Sequence, residues 1–190
     1  MIETVLSRMD PEDMDAGARA AYDALQELTG DATFVQVFAK APELLNFAMV
    51  EFYQKLFFEG RVAEKYMQLA RLRLSMSHGC RTCNNQNVPS VIAQGYSEEQ
   101  VQAMWAQDYS SFDEDEAAVM ELADQIALDN REGELTPELF GKLRRHFSEE
   151  EILNISMALG VIVGMVKMSF ALGLVQKEPY CEFGEFNKVA

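Results

Sequence analysis

The chain is poor in metal-ligating side chains and in positive charge. Its 190 residues include two histidines, His78 and His146, and three cysteines, Cys80, Cys83 and Cys181. Two histidines and one close cysteine pair fall short of a four-ligand structural zinc site, so no metal is expected. Three cysteines are too few, and odd in number, for a secreted disulfide scaffold. A reducing compartment fits them better, and a cytoplasmic protein is expected. The first residues show no basic region and no long apolar run, so no signal peptide is expected. Lys and Arg total 16 against 31 Asp and Glu, a formal charge of −15. That balance disfavours nucleic acid and anionic membrane surfaces as partners, and solubility explains it. Nowhere do apolar and polar residues alternate over a strand's length, which argues against a sheet.

One apolar run needs a membrane check. Residues 152–175 are almost continuously apolar and long enough to span a bilayer, and Gly160 and Gly164 stand four apart within them. Lys167, Asn154, Ser156 and Ser169 interrupt the run, and Ser148-Glu149-Glu150-Glu151 ahead of it reads as a soluble helix start. A buried central helix is expected rather than a membrane span. The glycines would then let neighbouring helices approach closely.

Helix signals recur along the whole chain. Asp10-Pro11-Glu12-Asp13 predicts a helix start, with a run to Leu28 and a stop at Gly30. Further helices are expected over residues 42–58, 62–76, 80–95, 113–129 and from Ser148 onward, with shorter ones after Ser97-Glu98-Glu99-Gln100 and Thr136-Pro137-Glu138. With 48% hydrophobic residues and 190 positions, one core is the natural size. The expectation is an all-α protein with a single helical domain over 1–176 and a C-terminal tail over 177–190. Phe34, Phe38, Phe47, Phe52, Tyr53, Phe57 and Phe58 crowd the early helices, either as core or as a subunit interface.

Chemistry concentrates at Cys80-Arg81-Thr82-Cys83. A Cys-x-x-Cys at a helix start puts both sulfurs on one face, within reach of a disulfide. Helix-terminal amides and Arg81 would favour a thiolate there. Arg71 and Arg73 on the preceding helix would lower a cysteine pKa or bind an anionic substrate, unless they are simply solvated. His78 either caps its helix or serves as a base or ligand. A redox-active dithiol, inert thiols and half of a zinc site remain open. Cys181 is either incidental or a third, resolving thiol. Asp113-Glu114-Asp115-Glu116 reads as an acidic first helical turn, or as a patch for a basic partner.

The run Leu69-Ala70-Arg71-Leu72-Arg73-Leu74-Ser75, then Gly79-Cys80 and Cys83, then Gly95-Tyr96-Ser97-Glu98-Glu99-Gln100 resembles the AhpD-like alkylhydroperoxidases of the carboxymuconolactone decarboxylase superfamily. Residues 17–30 and Ala41-Pro42-Glu43-Leu44-Leu45 are also similar, so the resemblance covers most of the chain. It implies an oligomeric all-helical fold with no cofactor. It also implies a dithiol at Cys80 and Cys83 that reduces a small peroxide and is itself reduced by a protein or thiol partner. In active members a glutamate twelve residues before the first cysteine and a histidine four after the second form a proton relay. Here those positions hold Gln68 and Asn87, which hydrogen-bond but do not titrate. Asn87 could still orient the thiol and Gln68 could bridge to it. The resemblance points to Cys83 as the attacking sulfur, whereas the helix-terminus argument points to Cys80. A thiol-dependent peroxidase or disulfide oxidoreductase is the leading expectation. The alternatives are a non-catalytic or redox-sensing oligomer, and a decarboxylase-like lyase on a small carboxylated compound. Cysteine-to-serine variants would leave the lyase active.

Overall fold

The computed structural model describes residues 4–181. The order is a 3-10 turn, Pro11–Asp13, then α1 (Ala16–Thr29), α2 (Thr33–Phe38), α3 (Pro42–Asn46), a π-helical segment (Phe47–Phe58), α4 (Glu64–His78), α5 (Arg81–Ala93), α6 (Glu98–Trp105), α7 (Glu114–Ile126), α8 (Pro137–Arg144) and α9 (Glu149–Leu172). The fold is all-α, as expected, and among the described residues the β geometry amounts to one isolated bridge, Cys80 with Lys177.

Most helix starts follow from their caps. Ser97, Asp113 and Ser148 each form a complete capping box, and Thr136 accepts from Leu139 N–H. The four-residue acidic run at Asp113 thus opens α7. Three expectations at the N-terminal end need correction. Asp10 caps only the 3-10 turn; Met14 is extended, and Asp15 restarts the chain as α1 by accepting from Ala18 N–H. No helix was anticipated over Thr33–Phe38, where no side chain caps the first turn. The single helix over 42–58 divides, because from Phe47 onward the turns widen to the π form. Phe52 and Phe57, five apart, are both buried there, a spacing that suits the wider turn.

The central helix is also not the one expected. From Met67 to Met76 every residue of α4 is buried. Leu69, Leu72 and Met76 pack with Val91, Val101, Met104 and Met120, while Met67, Ala70 and Leu74 join the larger core with Phe57, Leu122, Ile155 and Leu159. The apolar α9 is long enough to cross a membrane by length and composition, yet it lies along the core on one face. Its other face is open: Leu153 is 68% and Met157 61% exposed. Among the described residues no neighbouring atom lies within 4 Å of a Cβ placed on Gly160 or Gly164, so no described helix uses these glycines for close approach.

Candidate functional site

Gly79 ends α4 in the left-handed conformation, φ 64°, and turns the chain directly into the cysteine pair. A side chain at Gly79 would sit 2.7 Å from the Cys181 Cβ, so glycine is required for both conformation and space. Cys80 is the N-cap of α5, and its sulfur accepts from Cys83 N–H at 3.3 Å. Cys80 and Cys83 are joined as a disulfide, their Cα atoms 5.2 Å apart. The two sulfurs differ in access. Cys80 has no exposed surface, whereas Cys83 is partly exposed and lines a cavity of about 360 Å³.

Residues after α9 complete the surroundings of this pair. Arg81 and Thr82 N–H both point to the Gln176 carbonyl, at 2.9 and 3.5 Å, and Glu178 N–H donates to Gly79 O. The amides of Arg81 and Thr82 are therefore spent on Gln176, while that of Cys83 reaches the Cys80 sulfur. Arg81 is paired with Glu178 at 3.2 Å, and Asn84 donates to both Glu178 and Tyr180. Cys181 is buried in an apolar cluster with Cys80, Val166 and Phe170, and its thiol donates to His78 O at 3.1 Å. It is a packed part of this region.

The supporting residues separate in space. Gln68 is buried, donates to Glu64 at 2.9 Å and accepts from Arg71 Nη2 at 2.5 Å. Asn87 is buried and donates to the Arg71 carbonyl at 3.5 Å. The hydrogen bonds of Gln68 run along α4, and that of Asn87 crosses from α5 to the α4 backbone. His78 neither caps its own helix nor enters the cavity. Its Nε2 accepts from Leu128 N–H at 2.9 Å, beyond the end of α7. Burial first, with Arg73 adding, lowers its pKa to about 4 against the opposing Asp129, so the ring is neutral at pH 7. Arg73 is bound to Asp124 at 2.6 Å on the far side of α4. Of the arginines flanking the pair, Arg71 lines the cavity with Cys83.

The cavity walls come from distant elements. Leu25, Phe34, Tyr53, Phe58, Ile162 and Leu174 make it apolar, and Thr82, Cys83 and Gln86 form one face of α5 at its floor. Among the early aromatics, Phe52 and Phe57 are core, whereas Tyr53 and Phe58 belong to the cavity wall. Sequence reasoning missed Asp31 and Tyr53 as site residues. Neither carries a local motif, and only the packing of the N-terminal helices brings them there. Among the described residues no cluster of His, Cys, Asp and Glu could hold a metal ion.

An all-helical chain with a Cys-x-x-Cys at the start of a packed helix, opening on an apolar cavity, defines a recognisable class of protein. Residues 42–125 match the model of the carboxymuconolactone decarboxylase family, and the fold is AhpD-like. It is 24% identical over 141 residues to the uncharacterized protein YdfG of Bacillus subtilis (strain 168), covering 73% of this chain and 93% of the relative. A putative antioxidant defence protein AhpD of unknown function from Agrobacterium tumefaciens, ATU0492, is 25% identical with a TM-score of 0.61, over 71% of this chain and 91% of that one. An AhpD-core, peroxidase-related protein from Ralstonia eutropha JMP134 aligns at a TM-score of 0.70 and 15% identity, over 95% and 94% of the two chains. A cysteine-to-alanine variant of the debrominase Bmp8, bound to 2,3,4-tribromopyrrole, aligns at 0.70 and 18%, over 93% of each.

Proposed function

We propose that this protein is a thiol-dependent peroxidase or disulfide oxidoreductase in which Cys83 attacks and Cys80 resolves. The observation that carries the reading is the asymmetry of the pair: a disulfide whose Cys83 end meets the cavity while the Cys80 end is sealed behind it. Substrate reaches Cys83 first. With a hydroperoxide ROOH, the Cys83 sulfur forms a bond to one peroxide oxygen and the O–O bond breaks. Cys83 becomes a sulfenic acid and ROH leaves with the thiol proton. The Cys80 thiol then attacks that sulfur, the disulfide forms and water departs. A dithiol, protein or small molecule, returns both hydrogens by exchange. Gln68 and Asn87 supply no titrating group, so no side chain of a relay assists the first step.

We also propose that the protein works in the cytoplasm as a homo-oligomer. The open apolar face of α9, with Leu153, Met157, Gly160 and Gly164, supports a second copy packing there.

The test is peroxide treatment of the reduced protein, read by mass mapping. The expected result is a Cys80–Cys83 disulfide in the wild type, a trapped sulfenic acid on Cys83 in Cys80→Ser, and no oxidation of Cys80 in Cys83→Ser. Two persistent thiols in the wild type would refute the reading. A sulfenic acid on Cys80 would reverse the order.

A further inference from the structure

The cavity beside Cys83 contains a positive charge that forms no ion pair among the described residues. Arg71 is 4% exposed. Its Nη2 reaches Gln68 Oε1 at 2.5 Å and Ser90 Oγ at 3.5 Å, both neutral acceptors, and its buried Nε has no hydrogen-bond partner. Phe57 and Tyr53 present their rings to the guanidinium at 5.0 and 5.9 Å from the centroids. Burial lowers its pKa, against Tyr53 and Glu64, but an arginine stays protonated. Glu64 is exposed and hydrogen-bonds Gln68, which in turn accepts from Arg71. A buried charge without a counter-charge is costly, and the same helix shows the ordinary remedy in Arg73 and Asp124.

The remainder of the cavity limits what could supply the missing charge. Its apolar walls and volume of about 360 Å³ suit an organic body much larger than hydrogen peroxide. Asp31 lines the same cavity, and its Oδ2 also lacks a hydrogen-bond partner, while no ion pair among the described residues joins it to Arg71. A second negative charge on the ligand would be repelled there, whereas a hydrogen-bond donor would be accepted.

We propose that this cavity binds an amphipathic monoanion, its acidic group on Arg71 and its apolar body along Phe34, Tyr53, Phe58, Ile162 and Leu174. This names a substrate class for the thiol site, and it rests on the proposed function only for what then happens at Cys83. Gln68 becomes a specificity residue: a neutral side chain there leaves Arg71 available to the ligand.

The experiment is calorimetric titration of the whole protein with decanoate and with decanol, which share a chain and differ in charge. The wild type is expected to bind decanoate at least tenfold more tightly. Arg71→Met should abolish that preference while decanol binding persists. Gln68→Glu supplies an internal carboxylate and should weaken decanoate without weakening decanol, so the test stands even if Arg71→Met does not fold. Equal binding of the two probes by the wild type, or a preference that survives either substitution, overturns the proposal. Peroxide-driven disulfide formation is scored separately on the same samples. Disulfide formation without charge preference sinks this inference alone, and charge preference with inert thiols sinks the redox reading alone.

Discussion

Arg71 and Arg73 are two residues apart on α4 and both buried, yet their surroundings differ. Arg73 faces α7 and meets Asp124, whose carboxylate is also held by Tyr109 at 2.7 Å. Nearby, Glu116 accepts from Lys65 at 3.0 Å and from Tyr96 at 2.6 Å, so the polar groups between α4 and α7 are matched within the chain. Arg71 faces the opposite way, toward α5 and the cavity, and finds two neutral oxygens. Burial alone therefore does not mark a site on this helix. One face is completed by the chain itself, and the other leaves charge and volume for something outside it.

The largest test of that contrast is stability. Arg73→Met strands the largely buried Asp124 carboxylate and should cost about 3–5 kcal/mol in urea unfolding. Arg71→Met removes an uncompensated charge and should cost less than about 1 kcal/mol, or stabilise. Equal losses would break the comparison. A second test uses His78, which sits at the C-terminal end of α4. Its pKa is about 4 when folded, below the ordinary 6.5, so between those values the unfolded chain takes up the proton first. Its contribution is complete above pH 6.5 and is lost as pH falls, reaching roughly 3 kcal/mol by pH 4. Carboxylates titrate in the same range, so the measurement is the difference from His78→Gln. The stability of that variant should fall less steeply over the window. Parallel pH profiles would mean that the ring does not resist protonation.

The helical class, most helix starts and the Cys80–Cys83 pair are legible in the sequence because caps and short motifs are local. What was misjudged is relational. The run 152–175 reads as the buried centre because it is apolar, whereas α4, carrying Gln68, Arg71, Arg73, Ser75 and His78, is the helix enclosed on all sides. Arg73 and His78 are tolerated through partners remote in sequence, Asp124 and Leu128, which no helical period reveals. The cavity is illegible for the same reason. Leu25, Phe34, Tyr53, Cys83 and Leu174 become neighbours only after the helices pack. The tail region past 176 gives no local signal that Glu178 would pair with Arg81.

That last pair carries the smallest expected effect and sharpens the comparison at the dithiol itself. Arg81 is 42% exposed at its side chain, so its bond to Glu178 should contribute under about 1 kcal/mol, and Glu178→Gln should barely change unfolding. The charge beside the sulfurs changes all the same. With Glu178 neutralised, Arg81 joins Arg71 as a second unmatched cation near Cys83, and an unmatched cation favours the thiolate over the thiol. In reduced protein the alkylation of Cys83 should then shift to lower pH in Glu178→Gln and to higher pH in Arg81→Gln, by less than about one unit each, since solvent screens a half-exposed charge. Shifts of opposite sign would extend the contrast between matched and unmatched charge from α4 to the start of α5. If neither variant moves the profile, the charge that matters at this site is confined to Arg71.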